Sequence, residues 1–253
     1  MRLDHIALAT RDASGPLQVL VSDLGGTVFS GGNAVGYRPM QVYLGDRAAG
    51  MKVELLEPWQ VETNDFLERF LVRHGEGPHH LTFKVDDLVT SIERVEAAGL
   101  GLTGVDLSMP IWKEAFIAPR DAHGTVVQLA ESSAPYDTPV EEYAHVTEHG
   151  VEGAPVWWSA PPPSGAPVTF LRRIVMTTPS IHDALTFFIG LLDGEHADSG
   201  DRWVEVTWPG DGRIRFEEDA DRPPGIDRLE LEGPGEPREL LIAGTPMIVR
   251  RTP

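Results

Sequence analysis

The stretch Gly75–Leu88, GEGPHHLTFKVDDL, sets two adjacent histidines at the mouth of an apolar run. Side chains alternate across a strand, so Leu81, Phe83 and Val85 share one side and His80 falls on the other. His79 has the opposite phase to His80, which makes it a structural neighbour. An imidazole placed this way faces either solvent or something that it binds. The remaining strands decide between the two.

Three further runs carry the same pattern. In DHIALAT, His5 lies opposite Ile6 and Leu8. In MKVELLEP, Glu54 lies opposite Val53 and Leu55, and in GTVVQLAE, Gln128 lies opposite Val127 and Leu129. The interval from His5 to Glu54 nearly equals that from His80 to Gln128. An approximate twofold between two subrepeats would bring all four positions onto one concave surface. Two imidazoles, a carboxylate and an amide oxygen suit a borderline divalent ion such as Co, Ni, Zn, Mn or Fe, and not copper(I). The plainer reading is that the histidines are capped or exposed, and that Glu54 and Gln128 lie on solvated strand faces.

Bulk composition narrows the classes. The chain has 253 residues, 41% apolar and 24% charged, enough for one large domain or two ordinary ones. A net charge of −18 repels nucleic acid and anionic membranes. With no cysteine, disulfides, thiolate metal sites and cysteine nucleophiles are excluded. The start, MRLDHIALATRD, carries no apolar signal segment, and no apolar run has the length of a membrane span. The expectation is a cytoplasmic protein. GGTVFSGGN is glycine-rich but lacks the features of a phosphate loop or dinucleotide fingerprint, and no G-x-S-x-G elbow occurs.

Helical spacing is read at Leu17, Leu20, Val21 and Leu24, closed by Gly25-Gly26. Asp86 or Asp87 caps a second helix carrying Leu88, Ile92 and Val95 and stopping at Gly99. NDFLERFLVRHG is a shorter amphipathic piece. Ser180 with Asp183 starts another helix, carrying Ile181, Leu185, Phe188 and Leu192. The order strand, helix, further strands occurs twice before Glu131 and returns, shortened, after residue 168. The expected organisation is a first domain over 1–131, a Pro-rich linker over 132–168 containing Pro161-Pro162-Pro163, and a degenerate copy over 169–253. Aligning the copies puts Arg173, Arg215 and Arg228 at the positions of His5, Glu54 and His80, and Ile248 at that of Gln128. Such a set binds no metal. It either holds an anion or pairs with Glu218, Glu230 and Asp227.

LDHIALAT, MKVELLEP, FLERFLVRHGEGPHHLTFKVDDL and EAFIAPRDAHGTVVQLAE together resemble the vicinal oxygen chelate superfamily of glyoxalases, bleomycin-resistance proteins and extradiol dioxygenases, and within it the methylmalonyl-CoA epimerases. The resemblance implies an α+β fold of paired βαβββ modules, whose curved mixed sheets surround a metal cup. It implies His5, Glu54, His80 and Gln128 as ligands of a divalent metal. It also implies a metal-dependent isomerase, epimerase or lyase acting through a stabilised enolate on a small oxyanion or acyl substrate, CoA thioesters included. The chain departs from the epimerases at Gln128, where they carry a glutamate that also serves as base. Glutamine accepts no proton, and general-base work is worth about 10²–10⁴ in rate. Gln41 is the nearest polar residue at the second base position, so the base falls to Glu54, once off the metal, or to metal-bound hydroxide. Met109 and Trp112 give the acyl wall an apolar character. Two alternatives accompany this reading. One is an extradiol-type dioxygenase with iron(II) on His5, His80 and Glu54. The other is a sequestering protein whose pocket is lined by Trp112, Trp157 and Trp158. A small-molecule partner is expected in each case. Single-copy relatives dimerise, so a homodimer is also compatible with the resemblance.

Overall fold

The computed structural model describes residues 1–46, 49–109, 112–132 and 165–252, and folds them into two mixed β-sheets. The first sheet contains β1 (Arg2–Ala9), β2 (Thr27–Gly31), β3 (Gly36–Gly45), β4 (Gly50–Trp59), β5 (Gly77–Lys84), β6 (Leu102–Asp106), β7 (Trp112–Ile117) and β8 (Val126–Ser132). Its order is β2-β3-β4-β1-β5-β8-β7-β6. β1 runs parallel to β4 and β5 parallel to β8, while β1 and β5 meet antiparallel at the centre. Each half of the sheet is thus one module, and the His5 and His80 strands are neighbours.

The second sheet repeats the plan with one strand fewer. It contains β9 (Phe170–Thr178), β10 (Glu195–Gly200), β11 (Trp203–Thr207), β12 (Arg213–Glu218), β13 (Gly225–Gly233), β14 (Arg238–Ile242) and β15 (Thr245–Arg251), in the order β10-β11-β12-β9-β13-β15-β14. Again the central pair β9–β13 is antiparallel, flanked by parallel β12 and β15.

The helices are α1 (Ser14–Gln18), α2 (Phe66–His74), α3 (Leu88–Ala97) and α4 (Ile181–Leu185). Asp87 caps α3 by accepting from the Thr90 amide at 3.0 Å, and Ser180 caps α4 by accepting from the Asp183 amide at 3.2 Å. Two expectations are corrected here. The α-helices expected to run through Leu24 and through Leu192 are both short, and each widens into a π turn, Val19–Asp23 and Thr186–Leu191. The reason is the same in both copies. The amides of Gly26 and Gly194 reach back to the carbonyls of Leu20 and Phe188. A Cβ at Gly26 would sit 2.7 Å from the Leu20 carbonyl oxygen, and one at Gly194 would sit 2.4 Å from Val206. The chain needs glycine to turn tightly under the sheet, and the widened turn delivers it there. The second correction concerns strands that the sequence pattern does not reveal. β6 and β10 escape it because their residues are largely exposed and lack apolar alternation; β2 and β14 escape it as well.

Apolar faces of both sheets share one core. Leu3, Ile6, Leu8 and Phe83 from the first join Leu171, Ile174, Met176 and Phe216 from the second, with α1, α3 and the second π turn contributing. Phe83 packs edge-on to Trp208 at 5.2 Å between ring centres. A small separate cluster of Ala7, Ala9, Leu56, Leu67 and Leu71 seats α2 on the opposite face of the first sheet. Residues 133–164, which hold most of the expected linker together with Trp157 and Trp158, lie outside the described residues.

Candidate metal centre in the first sheet

The register across the sheet assembles the site. Glu54 on β4 and His80 on β5 both pair with Ala7 on β1, so the three stand in one row. His5 stands in the next row, opposite Thr82, and Thr82 in turn opposes Gln128 on β8. Strands lie about 4.8 Å apart, so Glu54 and His80 must lean toward each other over Ala7, whose single methyl leaves them room.

His5 reaches this face through a bulge. Leu3 opposes Phe83 and His5 opposes Thr82, which leaves Asp4 as an extra residue in β1. A bulge re-aims the side chains on its far side. Leu3 therefore enters the core, while His5 enters the cup beside Ala7 and Ala9.

Ligand atoms of His5, Glu54 and His80 all lie within 4.8 Å of one another, and all three residues are buried. The Glu54 Oε2 atom is 3.4 Å from His5 Nε2 and 3.8 Å from His80 Nε2. The other ring nitrogen of each histidine is occupied from behind. Asp4 takes His5 Nδ1 at 2.7 Å, and His79 takes His80 Nδ1 at 2.9 Å. Outer partners of this kind fix which imidazole nitrogen faces a metal. His80 Nε2 is buried without a hydrogen-bond partner, a costly state for a polar atom in an interior. Glu54 is held in turn, since Gln41 donates to its Oε1 at 3.1 Å and Ser30 donates to the Gln41 carbonyl at 3.1 Å. The donor chemistry and the orphaned nitrogen fit a divalent ion at the Nε2–Nε2–Oε2 convergence.

Electrostatics in the cup are set by burial and pairing. Burial would raise Asp4, but Lys52 at 2.8 Å, His5 and Lys84 hold its carboxyl far below the usual range. Burial would likewise raise Glu54, yet the charges of His5 and His80 and the hydrogen bonds from His5 and Gln41 bring it down to about 2. Burial favours the neutral form of His5, but Glu54 and Asp4 outweigh it and its pKa rises. His80 is lowered, first by burial and then by His79. His79 itself falls to about 4, chiefly through burial.

The other residues singled out in the sequence find distinct places. Gln41 lies behind Glu54, with both its polar ends engaged. Gln128 stands opposite Thr82 on the same face, where its carbonyl accepts from Thr82 at 2.5 Å and its amide donates to Glu114 Oε2 at 2.7 Å. Trp112 opens β7 and donates to the same Glu114 oxygen at 2.8 Å, whereas Met109 is exposed. Phe116 stands edge-on to His80. Asp4, Thr82 and Glu114 join the site without being singled out by the sequence. Glu114 alternates with Ala115 and Ile117 as a cup residue should, and that signal was present.

In the second sheet Arg215 and Arg228 both pair with Val175, and Arg173 with Glu230, the register of the first cup repeated. Arg173 and Arg215 reach buried Glu205 at 2.6 and 3.1 Å. Arg228 reaches Glu217 at 2.6 Å, Asp227 at 2.8 Å and Glu230 at 3.1 Å. The chain's own carboxylates take up the guanidinium charges.

Comparisons with known proteins agree with this architecture. Residues 4–110 match the family model of the Glyoxalase/Bleomycin resistance protein/Dioxygenase superfamily. No curated protein sequence matches the chain. A hypothetical protein from Staphylococcus aureus shares the fold end to end, with a TM-score of 0.63 over 99% of both chains at 11% identity. A Streptomyces coelicolor methylmalonyl-CoA epimerase in complex with 2-nitronate-propionyl-CoA covers 53% of this chain and 96% of its own, at 24% identity and a TM-score of 0.47. A Mycobacterium tuberculosis methylmalonyl-CoA epimerase covers 52% and 88%, at 22% identity and a TM-score of 0.46. The family match falls on the first sheet, and the full-length structural likeness extends the shared architecture over both sheets. No helix among the described residues is long and apolar enough to cross a membrane.

Proposed function

We propose that the first cup holds a divalent cation through His5 Nε2, His80 Nε2 and Glu54 Oε2, and that the chain is a metal-dependent isomerase, epimerase or lyase. Its substrate class would be small oxyanions or acyl compounds, CoA thioesters included. The observation that carries this reading is the buried, partnerless Nε2 of His80 aimed at Glu54. When bound, the metal would act as a Lewis acid toward vicinal substrate oxygens. The chain's own residues do the rest. Asp4 and His79 fix the imidazoles, Gln41 and Ser30 fix Glu54, and Phe116 and Trp112 flank the cup at His80 and Glu114. Gln128, its carbonyl already engaged by Thr82, serves in this reading as an orienting amide, and the three-donor set leaves positions open for substrate. Residues 1–131 would form the working domain, 132–168 a linker and 169–253 a covering copy.

The test is proton exchange at the carbon next to the carbonyl of methylmalonyl-CoA, followed by NMR in deuterium oxide before and after EDTA treatment. Exchange lost with the metal and restored by cobalt(II) supports the reading, and undiminished exchange in metal-free protein contradicts it. The donor set of two histidines and one carboxylate also matches non-haem iron(II) oxygenases. Catechol-dependent oxygen uptake by iron-loaded protein distinguishes that second reading.

A further inference from the structure

Three carboxylates border the first cup. Asp4 is committed to Lys52 and His5, and Glu54 to the two histidines. Glu114 differs from both, since it forms no ion pair among the described residues. It lies on β7, on the face shared by Trp112 and Phe116, one step diagonally from Gln128 on β8. Two N–H donors, the Trp112 indole and the Gln128 amide, both take its Oε2. No hydrogen bond to Oε1 is formed among the described residues. Such a clamp anchors one oxygen of the carboxylate and leaves the other to accept a proton.

We propose that Glu114 is the proton-transfer base of this cup, standing one strand over from the position where Gln128 offers only an amide. The inference rests on the reading of the cup as a metal-dependent proton-transfer site. The step is balanced within the site. The C–H bond beside the substrate carbonyl breaks, its proton moves to Glu114 Oε1, and its electron pair moves to the carbonyl oxygen to give the enolate. The same proton, or one exchanged with solvent, returns to carbon as the enolate collapses.

Gln128 acquires a definite purpose in this scheme. An amide cannot accept the proton, but its N–H holds the base in place and its carbonyl engages Thr82, which also contacts His5 Nε2 at 2.9 Å. The charges that act on Glu114 are those of Glu54 on β4 and Asp106 on β6. Burial comes first, and both of these add to it, raising the Glu114 carboxyl above the ordinary glutamate value against the two hydrogen bonds.

The test compares wild type, Glu114→Gln and Glu114→Asp as cobalt(II)-loaded full chains. Cobalt content and visible spectrum report the metal centre. NMR reports deuterium entry into methylmalonyl-CoA, and calorimetry in two buffers of different ionisation heat reports proton uptake on binding 2-nitronate-propionyl-CoA. The expected result is an unchanged cobalt spectrum in all three, exchange reduced about 100-fold or more in Glu114→Gln, and partial retention in Glu114→Asp. Proton uptake occurs with wild type and vanishes in Glu114→Gln. Wild-type exchange by Glu114→Gln overturns the assignment. So does a cobalt-loaded wild type that neither exchanges the probe nor takes up a proton, and that outcome leaves the metal centre standing. Conversely, exchange that depends on Glu114 in a wild type that binds no cobalt supports the base and removes the metal.

Discussion

The two cups are built on one register and filled with opposite chemistry. Where the first has Glu54, Ala7 and His80 in a row, the second has Arg215, Val175 and Arg228. Gln41 beside Glu54 corresponds to Glu205 beside Arg215, and Gln128 to Ile248. The first cup leaves a buried nitrogen without a partner. The second closes its charges on one another, with Glu205 receiving Arg173, Arg213 and Arg215. Guanidiniums paired with the chain's own carboxylates stabilise a shape even though the Nε atoms of Arg173 and Arg215 are themselves buried without a hydrogen bond, whereas an unprotonated imidazole nitrogen beside a carboxylate can offer its lone pair to a cation. In the proposed reading the same backbone supports a site in one copy and a scaffold in the other.

The largest effect expected from this contrast is on stability. Glu205→Ala would take from the half-buried guanidiniums of Arg173 and Arg215 the carboxylate they share, at a cost of about 3 kcal/mol. Glu54→Ala in metal-free protein should cost clearly less, since an imidazole left without its carboxylate can shed its proton and a guanidinium cannot. Urea midpoints at neutral pH measure both, and equal losses would erase the distinction between the cups. Next in size is Asp4→Asn, which keeps the shape but weakens the support behind His5. Metal affinity should fall about 10–100-fold, read by competition with a chromophoric chelator, and an unchanged affinity would remove Asp4 from the account.

A smaller effect concerns pH in the metal-free protein. Asp4 and Glu54 both have folded pKa values below their ordinary values of 3.8 and 4.5. Their stabilisation is therefore fully present above those ordinary values and is lost as pH falls through the folded ones. Stability should decline from about pH 5 downward, and less steeply in Asp4→Asn than in wild type. Parallel declines in the two proteins would contradict this.

Much of the first cup was legible because strand alternation is a local rule. His5, Glu54 and His80 each stand opposite apolar residues, and that phase carried over directly into the cup. The correspondence of Arg173, Arg215 and Arg228 with them was legible for the same reason, since the copies keep their strand spacing. What stayed hidden depends on non-local pairing. The bulge at Asp4 exists only in relation to β5, so no pattern within LDHIALA reveals it. Glu114 carries the right alternation, but only the pairing of β7 with β8 puts it beside Gln128. Gln41 reads as a residue facing substrate until β3 is seen to set it against Glu54. The π turns were hidden too, because Leu17, Leu20, Val21 and Leu24 satisfy ordinary helical spacing equally well.

The most direct test of the central claim is metal content by plasma emission spectroscopy of cobalt-equilibrated, dialysed protein, comparing wild type with His80→Ala and with Arg228→Ala, the matching change in the second cup. The account predicts near-stoichiometric cobalt in wild type and Arg228→Ala, and its loss in His80→Ala. A wild type that retains no cobalt, or a His80→Ala protein that retains it fully, would contradict the account.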